Sequence, residues 1–182
     1  MAALALPDPP LTDGTVALRA IRSGDVPALV AHCQDPEIQR WSRMPNPYGE
    51  DQARAYLRRT IDGRVTGTRT SFAIVDAGGD DQLIGAVGLN VIDWRQRAAD
   101  IGYWLAAAAR GRGMATRAVE LLVGWAFGPL GLERLELRAE FANHASRAVA
   151  ERAGFAPVTA PVVRRPECDH LPDVFFARLR GA

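Results

Sequence analysis

Arg110-Gly111-Arg112-Gly113-Met114-Ala115 sets two glycines and two arginines directly ahead of a long apolar-periodic run. Glycines there let the backbone turn tightly, so that unpaired amide N–H groups converge on one point, aided by the positive end of a helix dipole. Such a turn can cradle a pyrophosphate, and the same letters also suit a turn kept for packing alone. Further along, Asn143 and Ser146 stand at a predicted helix start, and their spacing puts both on one side of it. That side could meet one ligand, or either residue could simply cap the helix.

These residues need elements to position them. Alternation predicts a strand over Ala99 to Leu105 before the glycine turn, and a helix over Ala115 to Phe127 after it, with Ala118, Leu121, Leu122, Trp125 and Ala126 as its core-facing stripe. Leu135 to Ala139 alternates as a strand; Ala145 to Ala153 follows as a helix, Phe155 opens another strand, and Asp173 to Leu179 reads as the last one. Upstream, the turn at Asp13-Gly14 leads into a strand over Thr15 to Arg19. Ser23 caps a predicted helix over Asp25 to Cys33, and Asp35-Pro36-Glu37 starts a short one ending near Trp41. The prolines of Met44 to Gly49 require a loop, Glu50 to Asp62 returns to helix, and Arg69 to Asp76 pairs with Gln82 to Val91 through the Gly78-Gly79 turn.

The order of strand, Arg-x-x-Gly-x-Ala, helix, strand, Asn-x-x-Ser, helix and Gly154-Phe155 resembles the acetyl-CoA-binding core of the GNAT superfamily of acyl-CoA N-acyltransferases. Ile84-Gly85, Ile101-Gly102-Tyr103-Trp104-Leu105 and Trp125-Ala126-Phe127 before Leu130-Gly131-Leu132 are similar to its RimJ/RimL-type branch, whose members acetylate protein N-terminal amines. The resemblance runs from Leu11 to Leu179 and is strongest from Gly85 to Phe155. It implies a single α+β domain over residues 11–182 after a flexible segment 1–10, with a mixed, mainly antiparallel sheet of about six to seven strands, helices on both faces and splayed central strands.

The resemblance also implies roles. Acetyl-CoA would be the cosubstrate, its pantetheine arm bonding the backbone of Tyr103, Trp104 and Leu105, and its pyrophosphate the loop Arg110, Gly111, Arg112, Gly113, Met114 and Ala115. Asn143 would bond a pantetheine amide and Ser146 would protonate the departing thiolate. Asp100, or alternatively Asp93, would accept the amine proton, although an aspartate needs desolvation to become an efficient base. Both have a plain alternative as exposed strand-edge charges. Ala106 to Ala109 stands where relatives carry a proline and polar residues. The acceptor would be the α-amine of a protein or peptide, or instead a small-molecule amine; a non-catalytic acyl-CoA sensor is the third reading.

Trp41, Met44, Pro45, Pro47, Tyr48 and Trp94 are candidates for one wall of the acceptor channel or for a cap on the core, and Pro161 to Asp173 for the other wall. Relatives are often dimers, so a homodimer belongs among the expectations. All 22 basic residues are arginine, which excludes a Schiff-base or P-loop lysine and side-chain self-acetylation. A net charge of +1 argues against a nucleic-acid-coating surface. Cys33 and Cys168 make no disulfide framework, and with His32 and His170 no metal-ligand pattern is expected. No segment reads as a signal peptide or a membrane span, so the expected location is the cytoplasm.

Overall fold

The computed structural model describes residues 3–42, 44–163 and 173–181. Strands β1 (Leu11–Thr12) and β2 (Val16–Ala20) precede three helices, α1 (Val26–His32), α2 (Pro36–Ser42) and α3 (Glu50–Thr66). Strands β3 (Thr70–Asp76), β4 (Gly85–Asp93) and β5 (Ala98–Leu105) follow as a meander. The chain then runs through α4 (Met114–Phe127), β6 (Arg134–Glu140), α5 (His144–Arg152), β7 (Ala156–Val158) and β8 (Asp173–Leu179). The sheet has eight strands in the order β1-β2-β3-β4-β5-β6-β8-β7, where six to seven were expected. The surplus comes from short pieces, two residues in β1 and three in β7, too brief to show alternation.

Side-chain alternation decides what each face meets. Leu18, Phe72, Ile74, Val87, Leu89 and Ile101 bury one face against Ala118, Leu122, Trp125 and Ala126 of α4, the predicted stripe, with Leu121 partly buried beside them. Ala73, Val75, Ala86 and Trp104 bury the other against Leu29 of α1, Ile38 of α2 and Ala53 of α3. The start of α1 is pinned to β2 by Arg19, whose guanidinium donates twice to the buried Asp25 carboxylate, at 2.8 Å each. In the segment before β1, expected to be loose, Leu4 is buried and its amide donates to Arg64 O at 2.9 Å.

All neighbouring strands are antiparallel except β5 and β6, which pair in parallel from Ala98↔Arg134 to Ile101↔Leu137 only. Beyond that point β5 continues to Leu105 and β6 to Glu140 without pairing, and the sheet splays. Between β4 and β5 the register slips at Asn90, a bulge that bends β4 near the same point. Trp94, expected in an acceptor wall, instead donates its indole N–H to Gly67 O at 2.6 Å and ties the β4–β5 turn to the end of α3. Its sequence neighbourhood resembles a loop wall, but the bond spans 27 residues. Among the described residues no helix is long and apolar enough to cross a membrane.

Close strand approach depends on Gly88. A Cβ there would stand 2.2 Å from Thr70 O, which is backbone and has no room to retreat. Gly88→Ala should therefore lower the unfolding free energy by about 1–3 kcal/mol, read from urea denaturation. An unchanged midpoint would show that the strands separate freely.

Candidate functional site

The splay opens into a cavity of about 980 Å³. On the β4 side Ala106 N–H bonds Ile84 O. In-plane alternation then turns the backbone groups of Tyr103 and Leu105 toward the gap. Leu105 O is already taken by the Nε–H of Arg110 at 3.2 Å, whereas the Tyr103 and Leu105 amides face the cavity with no strand beside them. A ligand with its own amides can complete this edge as a missing strand would.

One rim of the cavity is the start of α4. Gly111 and Gly113 both adopt φ +75°, the left-handed conformation that Cβ-bearing residues avoid, and Gly113 is the N-cap. The first helical bond runs from Arg117 N to Gly113 O, so the Met114, Ala115 and Thr116 amides have no carbonyl within the helix. Open space lies above both glycines. Converging donors, room and the helix dipole fit a pyrophosphate. The arginines differ from expectation. The Arg110 guanidinium donates to Asp35 at 2.7 Å as well as to Leu105 O, so it fixes the strand exit against α2, and it holds the Asp35 carboxyl below its ordinary pKa. Arg112 is mostly exposed, pairs with Asp76 at 3.2 Å and is not on the cavity wall.

The opposite rim is the start of α5. Asn143 Oδ1 accepts from Ser146 N–H at 3.0 Å, a true N-cap that leaves the Asn143 carboxamide N–H groups for the cavity. Tyr103 donates its hydroxyl to Ser146 Oγ at 3.0 Å, across 43 residues. Because Ser146 accepts there, its own proton is available to a partner inside the cavity. Burial pushes the Tyr103 hydroxyl up to about 12, partly offset by the Ser146 bond, so it stays a donor at neutral pH.

Asp100, expected as base or as an edge charge, is neither exposed nor on the cavity wall. Asn90 Nδ2 donates to its Oδ2 at 3.1 Å and Arg138 Nε lies 3.4 Å from its Oδ1. A buried carboxylate held by a cation and an amide is poorly placed to receive a proton from an amine in the cavity. Asn90 and Arg138 do line the cavity, and neither stood out in sequence because their significance depends on a bulge and on a strand paired from elsewhere. The second candidate, Asp93, is spent on the turn, accepting from the Arg95 and Gln96 amides.

Trp41, Met44, Pro45 and Tyr48 line the far wall with Trp104. Trp41 is oriented by its N–H on Glu37 at 2.9 Å, with the Arg40 guanidinium over its ring. Of the predicted second wall, Arg164, Arg165, Glu167, Cys168, Asp169 and His170 lie outside the described residues. Among the described residues no group of three or more His, Cys, Asp or Glu is arranged to hold a metal.

Comparison with known proteins agrees with this architecture. The chain matches the acetyltransferase (GNAT) domain family over residues 15–156. It is 30% identical over 128 residues to the uncharacterized N-acetyltransferase p20 of Bacillus licheniformis, covering 70% of this chain and 71% of that one. It is 31% identical over 108 residues to the ribosomal-protein-serine acetyltransferase of Escherichia coli, covering 57% and 59%. Among solved structures, the Salmonella typhimurium acetyltransferase that modifies the N-terminal serine of ribosomal protein L7/L12 superposes with a TM-score of 0.76 at 24% identity, covering 93% of this chain and 97% of that one, a likeness of fold.

Tyr48, Tyr56 and Tyr103 all line the cavity, and burial raises all three hydroxyl pKa values above the ordinary 10. These are the chain's three tyrosines. Ultraviolet titration of the folded protein should show no tyrosinate at pH 10, where the urea-unfolded chain is half ionised. Because the unfolded chain releases those protons first, stability should fall as pH rises from 10 toward 12. A native titration midpoint near 10 would contradict the burial.

Proposed function

The chain belongs to the GNAT acetyltransferase family, and from that premise we propose that it transfers an acetyl group from acetyl-CoA to the α-amine of a protein or peptide. One observation carries the reading: the unpaired edge of β5, the helix start at Gly113 and the Ser146 hydroxyl surround a single cavity. The names of the Escherichia coli ribosomal-protein-serine acetyltransferase and of the Salmonella typhimurium enzyme, which modifies an N-terminal serine, support the α-amine as acceptor.

In this reading the Gly113, Met114, Ala115 and Thr116 amides, with Gly111 shaping the turn, hold the pyrophosphate. Asn143 and the Tyr103 to Leu105 backbone align the pantetheine arm, and acetyl-CoA supplies an activated acyl carbon. A backbone N–H of the β5 edge faces the thioester oxygen and stabilises the negative charge that develops there. Ser146 gives its proton to the leaving sulfur, and Tyr103, donating to Ser146 Oγ, stabilises the charge left behind. An α-amine with a pKa near 8 is partly neutral at physiological pH, so proton removal needs no strong base. Asp100 acts as a positioning residue that holds Asn90 and Arg138 against the cavity.

Calorimetric titration with acetyl-CoA, followed by thiol release with serine-initiated peptides beside polyamines and amino-acid derivatives, tests the proposal. Peptide-dependent release supports it; release with small amines alone would move the acceptor to that class, and binding without release to any acceptor would favour a sensor. Ser146→Ala should lower kcat by about 10²- to 10⁴-fold with CoA affinity nearly unchanged. Full turnover in that variant would remove Ser146 from the proton path.

A further inference from the structure

On the face of the sheet that meets α1 and α3, Ser71 pairs with Gly88 and Gly88 with Gly102. All three line the cavity, so its floor there is a strip with almost no side chain, running across three strands. The strip starts next to Ile101, the last residue of β5 that pairs with β6, and ends two strand spacings away at Ser71, about 10 Å on. The space beside both glycines is already filled. A Cβ on Gly102 would stand 2.3 Å from Asn90 Nδ2, and one on Gly88 would stand 2.6 Å from Ser71 Oγ.

The far end of this strip is cationic. Tyr56 hydrogen-bonds Ser71, and the Arg59 charge acts on the hydroxyls of both Tyr56 and Tyr48. Arg69 lies two residues before Ser71, and its stem is laid against α3 so closely that a Cβ on Gly63 would stand 1.9 Å from its Cγ. Both arginines line the cavity. Both are exposed residues, and among the described residues neither side chain forms an ion pair or a hydrogen bond, whereas Arg19, Arg54, Arg97, Arg110 and Arg117 are all engaged with carboxylates. The carboxylates on the wall do not neutralise them: Glu37 is bonded to Trp41, and Glu140 stands at the end of β6, across the splay.

Building on the transferase reading, we propose that Arg59 and Arg69 select an acceptor that carries a carboxylate about 10 Å from its reactive amine. An extended peptide advances about 3.3–3.6 Å per residue. The anion is then an acidic side chain at the second or third residue, or the terminal carboxylate of a short peptide. Along the strip the intervening backbone would meet Asn90 Nδ2 beside Gly102 and Ser71 Oγ beside Gly88, both polar groups.

Three tripeptides separate these sources: Ser-Ala-Asp amide, Ser-Ala-Asn amide and Ser-Ala-Ala with a free carboxyl terminus. The Asp peptide should exceed the Asn peptide in kcat/KM by about 10- to 100-fold. Comparable use of the free-acid peptide would assign the site to a terminal carboxylate as well. In Arg59→Gln/Arg69→Gln the preference should vanish while acetyl-CoA affinity holds, and Arg59→Lys/Arg69→Lys should restore part of it. Equal use of acid and amide peptides by the unaltered enzyme overturns the proposal. Calorimetric titration of the same peptides into the CoA-loaded protein reads the discrimination without turnover. Preferential binding of the acid without acetylation would keep the anion site and discard the transferase reading, and equal affinities would discard the anion site whether or not peptides are acetylated.

Discussion

Four residues of parallel pairing and then none: that limit on the β5–β6 ladder organises the rest of the molecule. A buried backbone amide left without a partner costs free energy comparable to a lost hydrogen bond, so an unpaired edge inside a domain persists only where water or a ligand completes it. The splay exposes that edge at the centre of the sheet, between layers of helices. The same divergence moves the two connections after β5 and β6 apart, so that α4 and α5 begin on opposite rims of one cavity. Their N-termini thereby bring the free amides of Met114, Ala115 and Thr116 and the Asn143 cap to a single space.

Polar groups around this opening are arranged in pairs that span distant parts of the chain. Tyr103 reaches Ser146 from β5 to α5, Arg110 reaches Asp35 from the strand exit to α2, and Asp100 holds Asn90 and Arg138 from the strands on either side. Each pair fixes a side chain at the splay without a backbone ladder to do so. Arg110 is instructive, because a cation beside a predicted phosphate site is instead consumed by a carboxylate and a strand carbonyl. The cradle is left to backbone donors, which are fixed in direction and need no rotamer ordering.

Local features were legible in the sequence, and partnerships were not. The β8 boundaries Asp173–Leu179 and the α4 stripe follow from periodicity, and the tight turn at Gly111 and Gly113 from glycine's access to positive φ. Asn143 and Ser146 were legible as a pair because three-residue spacing at a helix start has few geometries, and the cap uses Asn143 Oδ1 alone. Asp100 and Trp94 have partners that the sequence did not signal, for a common reason. Each lies beside a turn or strand start that reads as exposed, and each is buried or bonded through a neighbour far along the chain. Asn90 carried no signal because a bulge is a property of a pair of strands and not of one.

The two ends of the cavity obey different physical rules, which explains why the glycine turn was legible in full while the far end was legible only in its aromatic and proline wall. The cradle end uses main-chain groups whose direction follows from local conformation, so glycine placement alone reveals it. The far end uses side chains brought from α2, α3, β3 and the loop to Tyr48, joined by a glycine strip visible only once the strand registers are known. Gly88 and Gly102 stand on neighbouring strands. In register they become one bare floor, and Arg59 and Arg69 become its charged end. Substitutions at that end can alter charge preference without disturbing the backbone donors at the start of α4, because among the described residues the two ends are built from separate elements.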